Sequence, residues 1–211
     1  MNTLLYTVQI MNNQQKEDAA TLEILQVIEN KDNITQRHLA DKLDVALGLA
    51  NSYLKRCVRK GLVKVQQAPA NRYLYYLTPQ GFSEKSRLTA QYLSSSFNFY
   101  RNASSSINQI YQQCVANNSN RILLCGISEL AEIAAIRSHD YPLVITGVFD
   151  PTITSNKFLG LPVWNNFDEV EEYDASLLTS LENAQNLYSL LEKEIDTELI
   201  HVPSILGINR N

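Results

Sequence analysis

Gly48, Asn51, Ser52, Lys55 and Arg59 recur at steps that place them along one side of a helix. Such a set can meet the edges of base pairs. An asparagine amide pairs with adenine through two hydrogen bonds, and a lysine reaches a guanine edge or a phosphate. Glycine and serine let the helix end come close. Thr35, Gln36 and Arg37 stand just ahead, at the start of the preceding helix, where backbone N–H groups and short polar chains hold phosphate. Arg72, at the tip of a hairpin, suits a narrow minor groove. A solvated face on a helix that docks protein would use the same residue types.

The elements that must position these side chains run from about Lys16 to Leu77. A first helix, about Lys16 to Asn30, carries Thr21, Ile24, Leu25 and Ile28 at helical spacing. Thr35 is a suitable N-cap for a second helix, whose inner face is Leu39, Ala40 and Leu43. Asp44-Val45 interrupts it. A third helix begins near Leu47, with Ala50, Leu54 and Val58 on its buried side and Gly61 as its left-handed C-cap. Two strands, Leu62–Val65 and Tyr73–Leu77, follow around a turn at Pro69–Arg72. Residues 1–15, polar after Leu4, Leu5, Tyr6, Val8 and Ile10, are either an arm that docks on a partner subunit or a tail.

After Pro79 a helical stretch extends to about Val115. Leu93, Phe97, Tyr100, Ser104, Ile107, Tyr111 and Cys114 alternate by four and three, a short heptad seam. Two helices meeting across a dimer axis through Leu93, Phe97, Tyr100, Ile107 and Tyr111 would explain it; packing within the chain is the alternative. Ala116–Asn120 reads as a linker.

From Arg121 the pattern changes. Strands at Arg121–Cys125, Pro142–Phe149, Leu161–Trp164, Ala175–Ser180 and Leu199–Val202 alternate with helices at Ser128–Arg137 and Glu182–Lys193. A short acidic helix is expected over Asn166–Glu172, its carboxylates forming a solvated face. The alternation implies a mostly parallel, Rossmann-like sheet. Its first turn, Gly126-Ile127-Ser128-Glu129-Leu130-Ala131, keeps the first Gly and last Ala of a GxGxxG/A loop, with Ser128 for the middle Gly. Asp150 closes the second strand, about where a ribose-binding acid would lie. Gly126, Ser128, Asp150 and Ser180 would line the strand-end crevice, and a nucleotide or nucleotide-sugar is the effector such a crevice could take.

Composition sets limits. The chain of 211 residues carries a net charge of −4, but residues 1–100 hold 12 Lys/Arg against 8 Asp/Glu, while residues 101–211 hold 6 against 14. A basic reader joined to an acidic partner domain gives that asymmetry. No apolar run is long enough to span a bilayer, and the N-terminus lacks a basic leader. Cys57, Cys114 and Cys125 lack metal or redox spacing, so a reduced, cytoplasmic chain without metal is expected. His38, His139 and His201 are far apart in sequence, no GxSxG elbow occurs, and no Tyr-x-x-x-Lys pair follows the glycine turn. No catalytic residues are therefore assigned.

The run ITQRHLADKLDVALGLANSYLKRCVRKGLVKV, followed by RYLYYLTPQGFSEKSRLTAQYL, resembles MarR-type winged-helix regulators, especially a group associated with bacterial exopolysaccharide clusters. The similar features are TQR-x-LA, LG-x-x-N-x-x-LK, KGLVK and YLYYLTP-x-G-x-x-EKSRLT, over about residues 18–95. Leu49 stands where that group commonly has lysine, and the wing is shorter; both imply fewer phosphate contacts. The segment with GVFDP, LGLPVWNNFDEV and SLLTSLENAQNLYSLL resembles the small Rossmann-like domain that opens PglD-like sugar acyltransferases and CapD-like epimerase/dehydratases.

The expected fold class is thus an α+β winged helix-turn-helix domain (1–78), a long linking and dimerising helix (79–118), then an α/β Rossmann-like domain with a mostly parallel sheet (119–211). What the resemblances imply is a homodimeric transcriptional regulator that binds double-stranded DNA, with a small-molecule effector and a tie to polysaccharide genes. Two rivals remain open at this point: a protein-docking module, and an enzyme using a nucleotide cofactor.

Overall fold

The computed structural model describes residues 13–30, 34–69 and 72–208, without the side chains of Asn13, Gln15 and Arg72. The proposed arm at residues 1–12, residues 31–33 of the first interhelical turn, and the wing-tip residues Ala70 and Asn71 lie outside the described residues. Two compact units divide between Ser96 and Phe97.

In the first unit, helices α1 (Asn13–Asn30), α2 (Gln36–Leu43) and α3 (Leu47–Arg59) precede an antiparallel hairpin of β1 (Val63–Ala68) and β2 (Arg72–Leu77). Helix α4 (Pro79–Ala116) begins here and passes through the unit boundary. Ile24, Leu25 and Ile28 of α1, Leu39, Ala40 and Leu43 of α2, and Ala50, Leu54 and Cys57 of α3 form one core with Leu62, Val63 and Tyr75. Val58, expected inside, is 36% exposed, and Cys57 takes its place. The reason is helical phase: Ala50, Leu54 and Cys57 step by four and three along one line, and Val58 falls one residue beyond it.

Local chemistry fixes both ends of α2 and the C-terminal end of α3. The Thr35 hydroxyl accepts the His38 N–H at 3.1 Å, capping α2. Asp44 adopts the left-handed conformation that ends this helix. At the end of α3, Gly61 has φ +70°, its N–H donates to Val58 O, and the Leu62 N–H donates to Cys57 O. Those two bonds, with Leu62 and Cys57 buried together, form a Schellman motif, which turns the chain directly into β1. Thr78 then ties this corner to α4: its Oγ1 donates to Gly61 O at 2.6 Å and accepts the Gly81 N–H at 3.0 Å.

The second unit is built on a six-stranded sheet of β3 (Arg121–Cys125), β4 (Val144–Phe149), β5 (Lys157–Phe158), β6 (Leu161–Trp164), β7 (Ala175–Leu178) and β8 (Ile200–His201). The order is β5-β6-β4-β3-β7-β8, parallel except at β5. Leaving out the added edge strand β5, this is the 3-2-1-4-5 order of a Rossmann-like winding, with its switch point between β3 and β7. Alternate residues of β3 face opposite ways. Ile122 and Leu124 pack with the C-terminal half of α4 and with α5 (Glu129–Ser138); Leu123 and Cys125 pack with α6 (Ala184–Glu194).

Two expectations are corrected here. Ile107 and Tyr111, placed by spacing on a dimer seam, are fully buried in this unit's own core, and the Tyr111 hydroxyl donates to Ala134 O at 2.9 Å. The sheet needs a helical cover on that face, and this part of α4 supplies it. The acidic helix expected over Asn166–Glu172 is only a 3-10 turn at Phe167–Glu169. Asp174 accepts the N–H groups of Asn120 and Arg121, both at 2.8 Å, and Glu172 pairs with Arg121 at 2.7 Å. Asp174 and Glu172 thus hold the start of β3, while Asp168, Glu169 and Glu171 are exposed, so the run is solvated as expected but not helical.

Candidate nucleic-acid interface

Helix α3 turns Ala50, Leu54 and Cys57 inward, which leaves Gly48, Ser52, Lys55 and Arg59 exposed on the other side. Asn51 differs from the other four. It is half-buried, and its Oδ1 is buried with no hydrogen-bond partner among the described residues. In this conformation the amide cannot make a paired contact with adenine. Turning outward would expose that oxygen and relieve a desolvation cost of about 1–3 kcal/mol.

At the start of α2, Thr35, Gln36 and Arg37 are all exposed. The Thr35 oxygen already caps the helix, while its hydroxyl proton remains a donor. Gln36 Nε2 donates to the Tyr75 hydroxyl at 3.4 Å, so its amide leans on the hairpin. Arg72 opens β2 opposite Ala68, and its side chain lies outside the described residues.

Three cations of this unit are ion-paired among the described residues. Arg56 pairs with Glu17, Lys85 with Glu29, and Arg87 with Glu84. The Arg56 guanidinium, by hydrogen bonding, holds the Glu17 carboxyl below its usual range, as Arg87 does for Glu84. Among the described residues, no ion pair reaches Arg37, Lys55, Arg59 or Lys64, and all four are exposed. Lys64 adds to the residues expected from the sequence. In β1 Val63 is buried and the next four residues are exposed, with Lys64 paired across the hairpin with Tyr76. Leu47 and Leu49, each 45% exposed, were equally legible in kind but not in position: they flank Gly48 on the first turn of α3.

Of the proposed seam residues, Leu93 in the first unit and Phe97 and Tyr100 in the second are exposed.

The strand-end crevice of the second unit is tied up by its own atoms. Gly126 has φ +99°, and a Cβ there would stand 2.5 Å from the Ser180 Cβ and 2.7 Å from the Ser180 nitrogen. Glycine is thus required for β3 to turn past the end of β7, independently of any ligand. Ser128 caps α5: its Oγ accepts the Leu130 N–H at 3.0 Å and donates to Thr179 O. Asp150 is buried, and Oδ2 accepts the Ile127 N–H at 2.8 Å. Its Oδ1 accepts both the Thr152 N–H at 2.9 Å and the Thr152 hydroxyl at 2.7 Å. Donors that a pyrophosphate would use at Ile127 and Leu130 already serve the protein's own oxygens. Burial pushes the adjacent Cys125 thiol far up, and the Asp150 charge adds to that shift.

No curated protein matches the chain. Solved structures similar to it include a MarR family transcription regulator at 20% identity, covering 55% of this chain and 72% of that one, with a TM-score of 0.36. A Staphylococcus aureus MepR–DNA complex is 21% identical over 42% of this chain and 62% of that one, with a TM-score of 0.34. PcaV, a transcriptional regulator from Streptomyces coelicolor in complex with its natural ligand, is 19% identical over 46% and 67%, with a TM-score of 0.34. Residues 17–64, from α1 into β1, match the family model of winged helix-turn-helix DNA-binding domains.

Proposed function

We propose that this chain is a DNA-binding transcriptional regulator acting as a homodimer. The observation that carries the reading is the division of cations in the first unit. Arg56, Lys85 and Arg87 are paired with carboxylates of the same unit, whereas Arg37, Lys55, Arg59 and Lys64 are exposed on the helix-turn-helix and hairpin with no ion pair among the described residues. Cations kept unpaired on a helix-turn-helix are available to displace counterions from phosphate. Helix α3 would enter the major groove, with Thr35, Gln36 and Arg37 on the backbone and the wing, including Arg72, beside the minor groove. Exposure of Leu93, Phe97 and Tyr100 supports a dimer formed through that part of α4. A dimer would read half-sites about one helical turn apart. We assign the second unit to docking or to support of the dimer, since Gly126, Ser128 and Asp150 are engaged by the fold itself.

The test is fluorescence anisotropy with DNA from upstream of the protein's own gene, against random duplex, over a salt series. Preference for the upstream duplex, with a salt slope that flattens by about two in Lys55→Ala/Arg59→Ala, is the expected result. Equal or absent binding to both duplexes, with no dependence on salt, would refute the reading in favour of a protein-docking role.

A further inference from the structure

Gly48 sits inside the first turn of α3 in ordinary helical conformation, and a Cβ built on it would meet nothing within 4 Å. Neither packing nor backbone conformation within the chain calls for glycine there, and glycine weakens a helix relative to alanine. Its neighbours are equally unexplained by the fold. Leu47 and Leu49 are 45% exposed, belong to no core cluster, and stand on the helix whose outward cations, Lys55 and Arg59, have no ion pair among the described residues. A helix end that is bare at one residue and apolar on both sides of it matches one feature of the major groove: the thymine C5-methyl, the apolar group that base pairs present there.

We infer that Leu47 and Leu49 read thymine methyl groups, with Gly48 allowing the helix end to come close enough for van der Waals contact. Sequence preference then rests on apolar contact at one or two thymines as well as on polar contacts from Ser52 and Lys55. This inference depends on the DNA-binding reading above, and its test separates the two. The duplex preferred by the full-length protein is remade with uracil in place of each thymine in turn, which removes one methyl and leaves every hydrogen-bonding group in place. Uracil at one or two positions is expected to weaken binding about fourfold, the loss of one buried methyl contact. The penalty disappears in Leu47→Ala or Leu49→Ala, both on exposed positions where truncation spares the core, and persists in Lys55→Ala. Methyl-blind binding by the wild type, or a uracil penalty unchanged in both leucine variants, overturns this inference and leaves the DNA reading standing. Failure to prefer any duplex at low salt overturns both, and would give the two leucines to a protein partner.

Discussion

Replacing Gly48 by alanine should move stability and DNA affinity in opposite directions. With nothing within 4 Å of the new Cβ, the methyl has room and the helix gains about 0.5–1 kcal/mol from reduced chain freedom when unfolded. For a unit of this size that is a rise in Tm of a few degrees, at about 4–8 °C per kcal/mol. Against DNA the same methyl falls where the helix end should lie closest to the bases. Forcing one extra carbon into a packed contact costs about 1–3 kcal/mol, or roughly five- to 150-fold in Kd. Thermal unfolding followed by circular dichroism and anisotropy at fixed salt measure both. A higher Tm with unchanged Kd would show that the helix end stands away from the bases. A lower Tm would refute the claim that the position is free.

Phe97→Asp should yield monomers in sedimentation with the fold intact, whereas Ile107→Asp, which buries a charge in the second unit's core, should unfold that unit; a dimer that survives Phe97→Asp places the seam elsewhere. Asp150→Ala should destabilise the second unit by about 2–4 kcal/mol in denaturant titration, because the Ile127 and Thr152 donors lose a buried charged acceptor. An unchanged midpoint would mean that the carboxylate is held for a ligand and not for the turn. Burial pushes the Cys57 and Cys114 thiols from 9.0 up to about 11. Since the folded state favours their protonated form, stability should be intact below pH 9 and fall as pH rises toward 11, by about 1.4 kcal/mol per pH unit for each thiol. A flat midpoint across that window would contradict the burial.

How much the sequence discloses depends on which partner a residue has. Caps and corners were legible because they are local: Thr35 and Gly61 act within five residues of themselves, and the structure places both where spacing put them. Element order in the second unit was legible for a related reason, since runs such as Ile122–Cys125 are apolar throughout only when both faces are covered. The two-residue strand β5 was not, because Lys157-Phe158 has no periodicity to show and pairs only through β6. The heptad seam was legible only in part. Spacing states that Leu93 to Cys114 share a helix face, but not what covers it. Within this chain the sheet covers Ile107, Tyr111 and Cys114 and leaves Phe97 and Tyr100 bare.

Asp150 shows the same limit at a candidate site. An acid at the end of the second strand of a Rossmann-like winding is placed by topology beside the glycine turn, whatever it does there. A ribose hydroxyl and the Ile127 N–H are both donors, and the residue type suits either. What decides is the turn. Ser128 adds a hydroxyl that caps α5 and reaches Thr179 O across the crevice, drawing the loop onto β7, while Ser180 occupies the space a Cβ at Gly126 would need. With the loop held there, Ile127 presents its N–H to Asp150 at 2.8 Å, and the carboxylate completes its remaining bonds with Thr152. Ser128 and Asp150 thus engage the turn from its two sides, leaving neither the Ile127 nor the Leu130 N–H unbonded. Ser128→Gly should loosen it, which would appear as faster hydrogen exchange at Ile127 and Leu130; unchanged protection at both amides would show that Asp150 holds the turn without Ser128.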